Sequence, residues 1–328
     1  MVKVQKIFFN RHFIITFLSF AVLFTFLIYG LLNGFRVVYW RSAFSTGIVI
    51  IVLSELLKQV FKKTKYSDVA RMVLLYMQFV AVLSLFSAFG IIISYCAAWG
   101  NHLANPDMLT KIDKLFFGFN WQQVTSYIAK VSFLHAFLKF LYESIAVLPF
   151  VLIAVSLVEN NISNIWHFIE FMVVTAALTM VIFWLYPVVG PSSHYSFVEN
   201  GYMPSLIAAA NKTGIFTFGI HSVDGLLKVK DGNGYYYMTG IVTFPSYHTI
   251  LAVGLMYFAR NFARVIRYVI FFFSIGMIVS AVPIGGHYLT DIFAGFVVAW
   301  FGILAVDWRG FGLAVDNTEK TLGGFCGR

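Results

Sequence analysis

The chain has 328 residues, of which 60% are hydrophobic and 11% are charged. A soluble domain carries about 25% charged residues, so this composition excludes a soluble globular protein. The net charge of +9 is typical of basic loops that hold the cytoplasmic side of a membrane protein and meet anionic headgroups. Composition therefore predicts an all-α, polytopic membrane bundle, and we expect no nucleic-acid partner.

Long apolar runs predict about eight transmembrane helices, each near the length that crosses a bilayer. They lie at about residues 12–35, 40–60, 72–99, 136–158, 164–186, 245–260, 266–284 and 287–308. The first run is too long for the core of a signal peptide, so we expect a retained span.

Two stretches between these runs differ in character. Around residues 105–133 charged residues alternate with aromatic ones, a pattern that predicts amphipathic helices in the membrane interface. From 187 to 243 the chain is polar and rich in turn residues. A loop of this length in a membrane protein predicts a functional cap or the wall of a site.

Basic residues predict the orientation, because they collect in cytoplasmic loops. They cluster at 58–71 and at 260–267, and four predicted spans separate the two clusters. Both termini are then cytoplasmic, and His248 and His287 face the periplasm or a lumen; we expect a bacterial inner membrane.

The same pattern predicts the domain organisation. Residues 1–65 would be a two-span anchor, 66–310 a six-span catalytic domain, and 311–328 a cytoplasmic tail.

Three ionisable residues stand at the outer ends of the last predicted spans. His287 and Asp291 are four residues apart, so on a helix they share one face and the carboxylate can orient the imidazole. His248 follows Pro245 and Ser246 just before another apolar run. An ionisable residue inside a span is costly, and by default it indicates function. Two histidines with one carboxylate predict an acid and a nucleophile in one site.

A metal site is the alternative that these residues leave open. Two histidines and a carboxylate can bind zinc, and His194 and His221 could join them. The spacing of His287 and Asp291 orients a histidine equally well without an ion. We therefore expect neither a metal nor a cofactor.

The two histidine segments resemble motifs of the type 2 phosphatidic acid phosphatase superfamily. Pro245-Ser-Tyr-His248 is similar to its second motif, and Ser280-Ala281, five residues, His287 and Asp291 are similar to its third. The resemblance implies that His287 attacks phosphorus, that Asp291 orients it, and that His248 protonates the leaving group.

Three basic positions of the family pattern are not basic here. Tyr186 and Thr179 stand where the first motif has arginine and lysine, and Ala281 stands where the third has arginine. A phosphodiester carries less charge than a phosphomonoester and needs fewer cations. Together with the Asp113–Trp121 string and Gly190-Pro191, this resembles the branch that contains inositol phosphorylceramide synthase.

The resemblance implies a membrane lipid phosphotransferase that works through a phosphohistidine, with lipids as its partners and an unspecified oligomeric state. The alternatives are a lipid phosphatase or diphosphatase that uses water, and a non-enzymatic transporter or scaffold. Beside the three catalytic residues, the expected phosphate-binding or substrate-binding residues are Ser246, Gly285, Gly286, Lys228, Lys230, Tyr247 and Pro191.

Overall fold

The computed structural model describes residues 2–34, 48–57, 67–99, 104–188, 190–191, 241–284 and 286–307. Lys228, Lys230 and Gly285, three of the predicted phosphate-binding residues, lie outside these ranges. Every long regular element within them is helical, and a single bridge pairs Ala104 with Val188. The prediction of an all-α protein is confirmed.

The described ranges contain eleven α-helices. They are α1 (Val2–Leu32), α2 (Ile48–Leu57), α3 (Ser67–Trp99), α4 (Asp107–Phe117), α5 (Trp121–Lys130), α6 (Ser132–Glu143), α7 (Leu148–Val158), α8 (Ile162–Leu185), α9 (Tyr247–Phe258), α10 (Arg264–Ala281) and α11 (Leu289–Asp307). A 3₁₀ turn, Ser144–Ala146, connects α6 to α7.

Five helical segments in this part of the chain are long and apolar enough to cross a membrane. They are Ile14–Leu32, Val69–Ala98, Ile162–Leu185, Arg264–Ala281 and Leu289–Val306. A sixth span results if α6 with its 3₁₀ turn and α7, which meet at a 52° bend, form one broken span. The membrane class is confirmed, whereas the count of about eight spans is not.

Two of the predicted spans contain only short helices among the described residues. The helix α9 has 12 residues, a length of about 18 Å, whereas the hydrocarbon core is about 30 Å thick. The apolar helix α2 is also shorter than a span. For α9 the apolar run overstates the helix length, because the apolar residues Ala259 and Phe262 beyond its end lie in turns.

The main core is formed where α7, α8, α9, α10 and α11 pack together. Glycines permit close approach at these contacts, as small residues do in membrane bundles. A side chain at Gly254 of α9 would lie 2.2 Å from the ring of Phe171, and one at Gly302 of α11 would lie 2.3 Å from Thr175. Because Phe171 and Thr175 both belong to α8, these two glycine contacts pack α9 and α11 closely against the same long helix.

Two further clusters surround this core. The helices α1 and α3 pack against α8 on one side. The division of the chain into a two-span anchor and a catalytic domain stays a prediction. At one end of the bundle, Trp121 and Leu141 of the α4–α6 segment pack against Val282 and Ile284, which follow α10. The α4–α6 segment therefore covers the end of the bundle at which α10 terminates and α11 begins.

Candidate active site

The two histidine segments meet where α9 and α11 begin. The backbone N–H of Ser246 donates to the backbone carbonyl of Asp291, with a distance of 3.1 Å. Gly295, one turn further along α11, allows this contact, because a side chain there would lie 2.8 Å from the carbonyl oxygen of Ser246. Residues 43 positions apart in sequence, His248 and Asp291, are thereby brought to the same place.

His287 is held through its Nδ1 atom, which has two oxygen partners. It lies 2.9 Å from the backbone carbonyl oxygen of Thr243 and 3.3 Å from Oδ2 of Asp291. The side chain of His287 is 5% exposed, and that of Asp291 is fully buried. The predicted pairing of His287 with Asp291 is therefore present, and the Thr243 carbonyl is a partner that sequence reasoning missed.

These two contacts determine the tautomer of His287. A carbonyl oxygen can only accept, so Nδ1 must carry the hydrogen and donate it. The other ring nitrogen, Nε2, then holds the lone pair. The arrangement leaves Nε2 able to attack an electrophile, while a carboxylate beside Nδ1–H stabilises the positive charge that develops on the ring.

His248, the second histidine, lies beside His287 on the first turn of α9. The centroids of the two rings are 6.0 Å apart, and the ring planes meet at 64°. Tyr142, the penultimate residue of α6, stacks on the ring of His248 with a centroid distance of 4.0 Å. The stack restricts rotation of His248, and no signal in the sequence indicated this role for Tyr142.

The first-turn amides of α9 and α11 have different partners. The N–H of Tyr288 donates to Asp291 Oδ2, and those of Leu289 and Thr290 donate to the carboxylate of Asp113. On α9, the hydroxyl oxygen of Ser246 accepts from Thr249 N–H, at 3.4 Å. Helix N-termini favour anions. Carboxylates occupy the start of α11, whereas in the described part of the chain no carboxylate side chain binds the first-turn amides of α9.

Ser246 and Tyr247, two predicted phosphate-binding residues, are partly engaged elsewhere. The backbone N–H of Ser246 donates to the Asp291 carbonyl. The hydroxyl of Tyr247 donates to the carbonyl of Met172 at 3.3 Å, towards α8. The amides of Tyr247 and His248 themselves have no hydrogen-bond partner among the described residues. A role for both side chains in phosphate binding stays a prediction.

Gly190 lies against the turn that carries His287. A side chain at Gly190 would come within 2.7 Å of the Gly286 carbonyl oxygen and 3.5 Å of Thr243 Oγ1. Gly286 itself has a φ of 68°, which favours glycine. Gly190 is thus packed between the Gly286 backbone carbonyl and the Thr243 side chain, next to the two segments that hold the His287 ring. A role for Pro191 in the wall of the site stays a prediction.

We expect Gly190→Ala to lower turnover by about tenfold or more, because displacing the Gly286 backbone by a few tenths of an ångström moves His287. Gly90→Ala is the matched control. Its added methyl group would meet no atom within 4 Å on α3, and alanine favours a helix. Initial rates of both purified variants, normalised to folded protein, test the prediction; equal rates would show that the Gly190 contact does not position the site.

The three positions that lack basic residues are filled in other ways. The hydroxyl of Tyr186 donates to the backbone carbonyl of Asn105 at 3.0 Å. Burial and the carboxylates of Asp107 and Asp291 raise the pKa of Tyr186, so this hydroxyl remains a donor. Thr179 and Ala281 are both fully buried. Tyr186, Thr179 and Ala281 therefore contribute to packing and supply no positive charge to a phosphate group.

A metal site has no support in the ranges that the structure describes. They contain no group of three or more His, Cys, Asp or Glu side chains placed to hold an ion. His194 and His221, considered as further ligands, lie outside those ranges. The expectation that the protein needs no metal stays a prediction.

Comparison with known proteins identifies one family. The family model described as the PAP2 superfamily matches residues 108–305, which is more than half of the chain and includes both histidine segments. No curated protein and no solved structure matches. The match does not distinguish the inositol phosphorylceramide synthase-like branch from the rest of the superfamily.

Proposed function

Because the chain belongs to the PAP2 superfamily, whose membership suggests a lipid phosphatase or phosphotransferase, we propose that it is a lipid phosphotransferase with a phosphohistidine intermediate. It moves a phosphoryl or phospho-headgroup group from a donor lipid to an acceptor alcohol. We place this reaction at the outer face of the membrane, as the distribution of basic loops predicts.

The observation that carries the proposal is the hydrogen bonding of His287. The Thr243 carbonyl and the Asp291 carboxylate both bind Nδ1, which leaves Nε2 as the nucleophile. The neighbouring ring of His248, 6.0 Å away between centroids, can reach the opposite side of a phosphoryl group. A nucleophile and a proton donor on two neighbouring side chains are the two groups that displacement at phosphorus uses.

In the first step, the lone pair of His287 Nε2 forms a bond to phosphorus. The bond between phosphorus and the leaving oxygen breaks, and His248 in its protonated form gives a proton to that oxygen. The first alcohol product departs. Positive charge on the His287 ring is stabilised by Asp291 through Nδ1–H.

The second step reverses these roles. The hydroxyl oxygen of the acceptor attacks phosphorus, and its proton passes to the now neutral His248. The bond between phosphorus and Nε2 breaks, and its electron pair returns to His287. The product is a new phosphoester, and both histidines regain their initial protonation states.

Donors at the start of α9 would stabilise the phosphoryl oxygens during both steps. The amides of Tyr247 and His248 are available there, and they act together with the positive end of the helix dipole. We propose that Lys228, Lys230 and the amides of Gly285 and Gly286 add to them. With Tyr186, Thr179 and Ala281 in the basic positions, this set suits a phosphodiester better than a doubly charged monoester.

Transfer of label between lipids tests the proposal. The purified protein in detergent is given lipids with radiolabelled phosphate, either phosphatidate or phosphatidylinositol, with and without ceramide as acceptor. We expect label in a second lipid that depends on the acceptor. Water-soluble label in equal amount with and without acceptor, as phosphate from phosphatidate or as inositol phosphate from phosphatidylinositol, would instead identify a hydrolase that uses water. Absence of any turnover across the panel would favour the non-enzymatic alternative.

A further inference from the structure

Asp113 belongs to α4, a helix that covers the site from outside the main bundle. Its side chain is only 3% exposed, and its carboxylate crosses to the start of α11. Oδ2 accepts from Leu289 N–H at 2.8 Å, and Oδ1 accepts from Thr290 N–H at 2.9 Å and also from the Thr290 hydroxyl. One carboxylate, 176 residues away in sequence, thus caps the helix that carries Asp291.

The backbone of Asp113 is held by hydrogen bonds as well. Its backbone carbonyl accepts from Gly118 and Phe119, in the turn that ends α4 with a left-handed Gly118. Immediately after this turn, the indole N–H of Trp121 donates to the Val282 carbonyl at 3.0 Å. The carboxylate of Asp113 is therefore held by a rigid connection to the segment between α10 and α11.

The capped amides are directly coupled to the catalytic histidine. Tyr288 N–H, which precedes the two amides bound by Asp113, donates to the same Asp291 oxygen that faces His287. If the first turn of α11 frayed, Asp291 would move relative to both Tyr288 and His287. A cap on this turn consequently controls the distance between Asp291 and the His287 ring.

We propose that Asp113 is a positioning residue for the phosphotransfer site: it holds the first turn of α11 so that Asp291 and His287 stay in register. This inference rests on the proposed function of His287. The two sides of α4 therefore differ: Leu115 and Phe116 form a largely exposed apolar face, whereas Asp113 is buried against α11. Asp113 acts through Asp291 and does not touch the substrate.

Asp113→Asn separates positioning from simple helix capping. An amide has one acceptor oxygen and an NH₂ group, so at one of the two oxygen positions it would place a donor against a donor. Thr290→Val removes only the hydroxyl and keeps both amide contacts with Asp113. We expect phosphoenzyme formation to slow by about tenfold to a hundredfold in Asp113→Asn and to slow much less in Thr290→Val. Because the two side chains contact each other, the effects of the two changes on this rate should not add up in the double variant.

Glu159→Gln is the matched carboxylate-to-amide control. Glu159 is exposed in the turn after α7. That turn lies at the far end of α9, because the side chain of Asn164 donates to the Phe258 carbonyl. We expect this variant to form phosphoenzyme at the rate of the unchanged protein.

Two measurements decide the inference. Rapid quench with a radiolabelled-phosphate lipid gives the rate and the amplitude of phosphoenzyme formation, and hydrogen–deuterium exchange reports the amides of Leu289 and Thr290. We expect Asp113→Asn to lower the rate at unchanged amplitude and to speed exchange by tenfold or more in that peptide while α9 stays protected.

Three results would overturn the positioning role. They are unchanged exchange at Leu289 and Thr290, faster exchange there with an unchanged phosphoenzyme rate, and a fall in amplitude accompanied by faster exchange throughout the protein, which indicates lost stability. Failure of the proposed function looks different, because the unchanged protein itself would then form no phosphoenzyme that depends on His287.

Discussion

His287→Gln should abolish both label transfer and the formation of labelled enzyme. Glutamine has no ring nitrogen with a lone pair, so no bond to phosphorus can form. We expect turnover to fall by at least about a thousandfold. The phosphoramidate bond of phosphohistidine is labile in acid, so the measurement is quench in alkali followed by electrophoresis and detection of protein-bound label.

His167→Gln is the control for that experiment. His167 lies near the start of α8, whose other end reaches the site at Tyr186. Its ring nitrogen Nδ1 is 3.4 Å from Ser163 Oγ, within the same helix. We expect unchanged labelling in this variant. Protein-bound label that persists in His287→Gln would contradict the phosphohistidine mechanism, whatever the identity of the lipid.

His248→Asn should have an effect that depends on the leaving group. Asparagine keeps a polar side chain against Tyr142 but cannot donate a proton as an acid. A lipid alkoxide is a strong base and needs that proton, so we expect turnover of a lipid phosphoester to fall by about 10²–10⁴-fold. A p-nitrophenyl phosphodiester releases a weakly basic anion that can depart unprotonated, and with this compound the first step should slow far less.

The comparison of the two substrates in the same variant is its own control. A defect in folding or in phosphate binding would reduce both rates by the same factor. Equal losses with the lipid and with the p-nitrophenyl ester would therefore contradict the role of His248 as the acid. Measurements of the burst of p-nitrophenolate isolate the first step from the attack of the acceptor.

Local patterns predicted much of the site because the residues in each motif are close in sequence. His287 and Asp291 are one helical turn apart, so their pairing follows from helix geometry. The pairing of the His248 segment with the His287 segment was expected from orientation, since both lie at the outer ends of predicted spans. The structure places the two rings side by side.

Other contacts at the site could not be predicted, because their residues are ordinary in type and remote in sequence. The Thr243 contact uses a backbone carbonyl, which every residue has. Tyr142 is one of 17 tyrosines, and only the docking of α6 brings it onto His248. The sequence pattern predicts that Asp113 belongs to an interfacial helix, but its carboxylate is buried against the start of α11.

The sequence by itself determined the class of protein, its helical architecture and its superfamily, because hydrophobicity and motif spacing are properties of short, continuous segments. Tertiary structure decided which nitrogen of His287 is free, which carboxylates bind the first-turn amides of α11, and where the short helix α9 begins and ends. Each of these depends on hydrogen bonds and close packing between segments that lie tens to hundreds of residues apart. Composition and periodicity do not encode such contacts individually, so only the folded arrangement of α4, α6, α9 and α11 defines them.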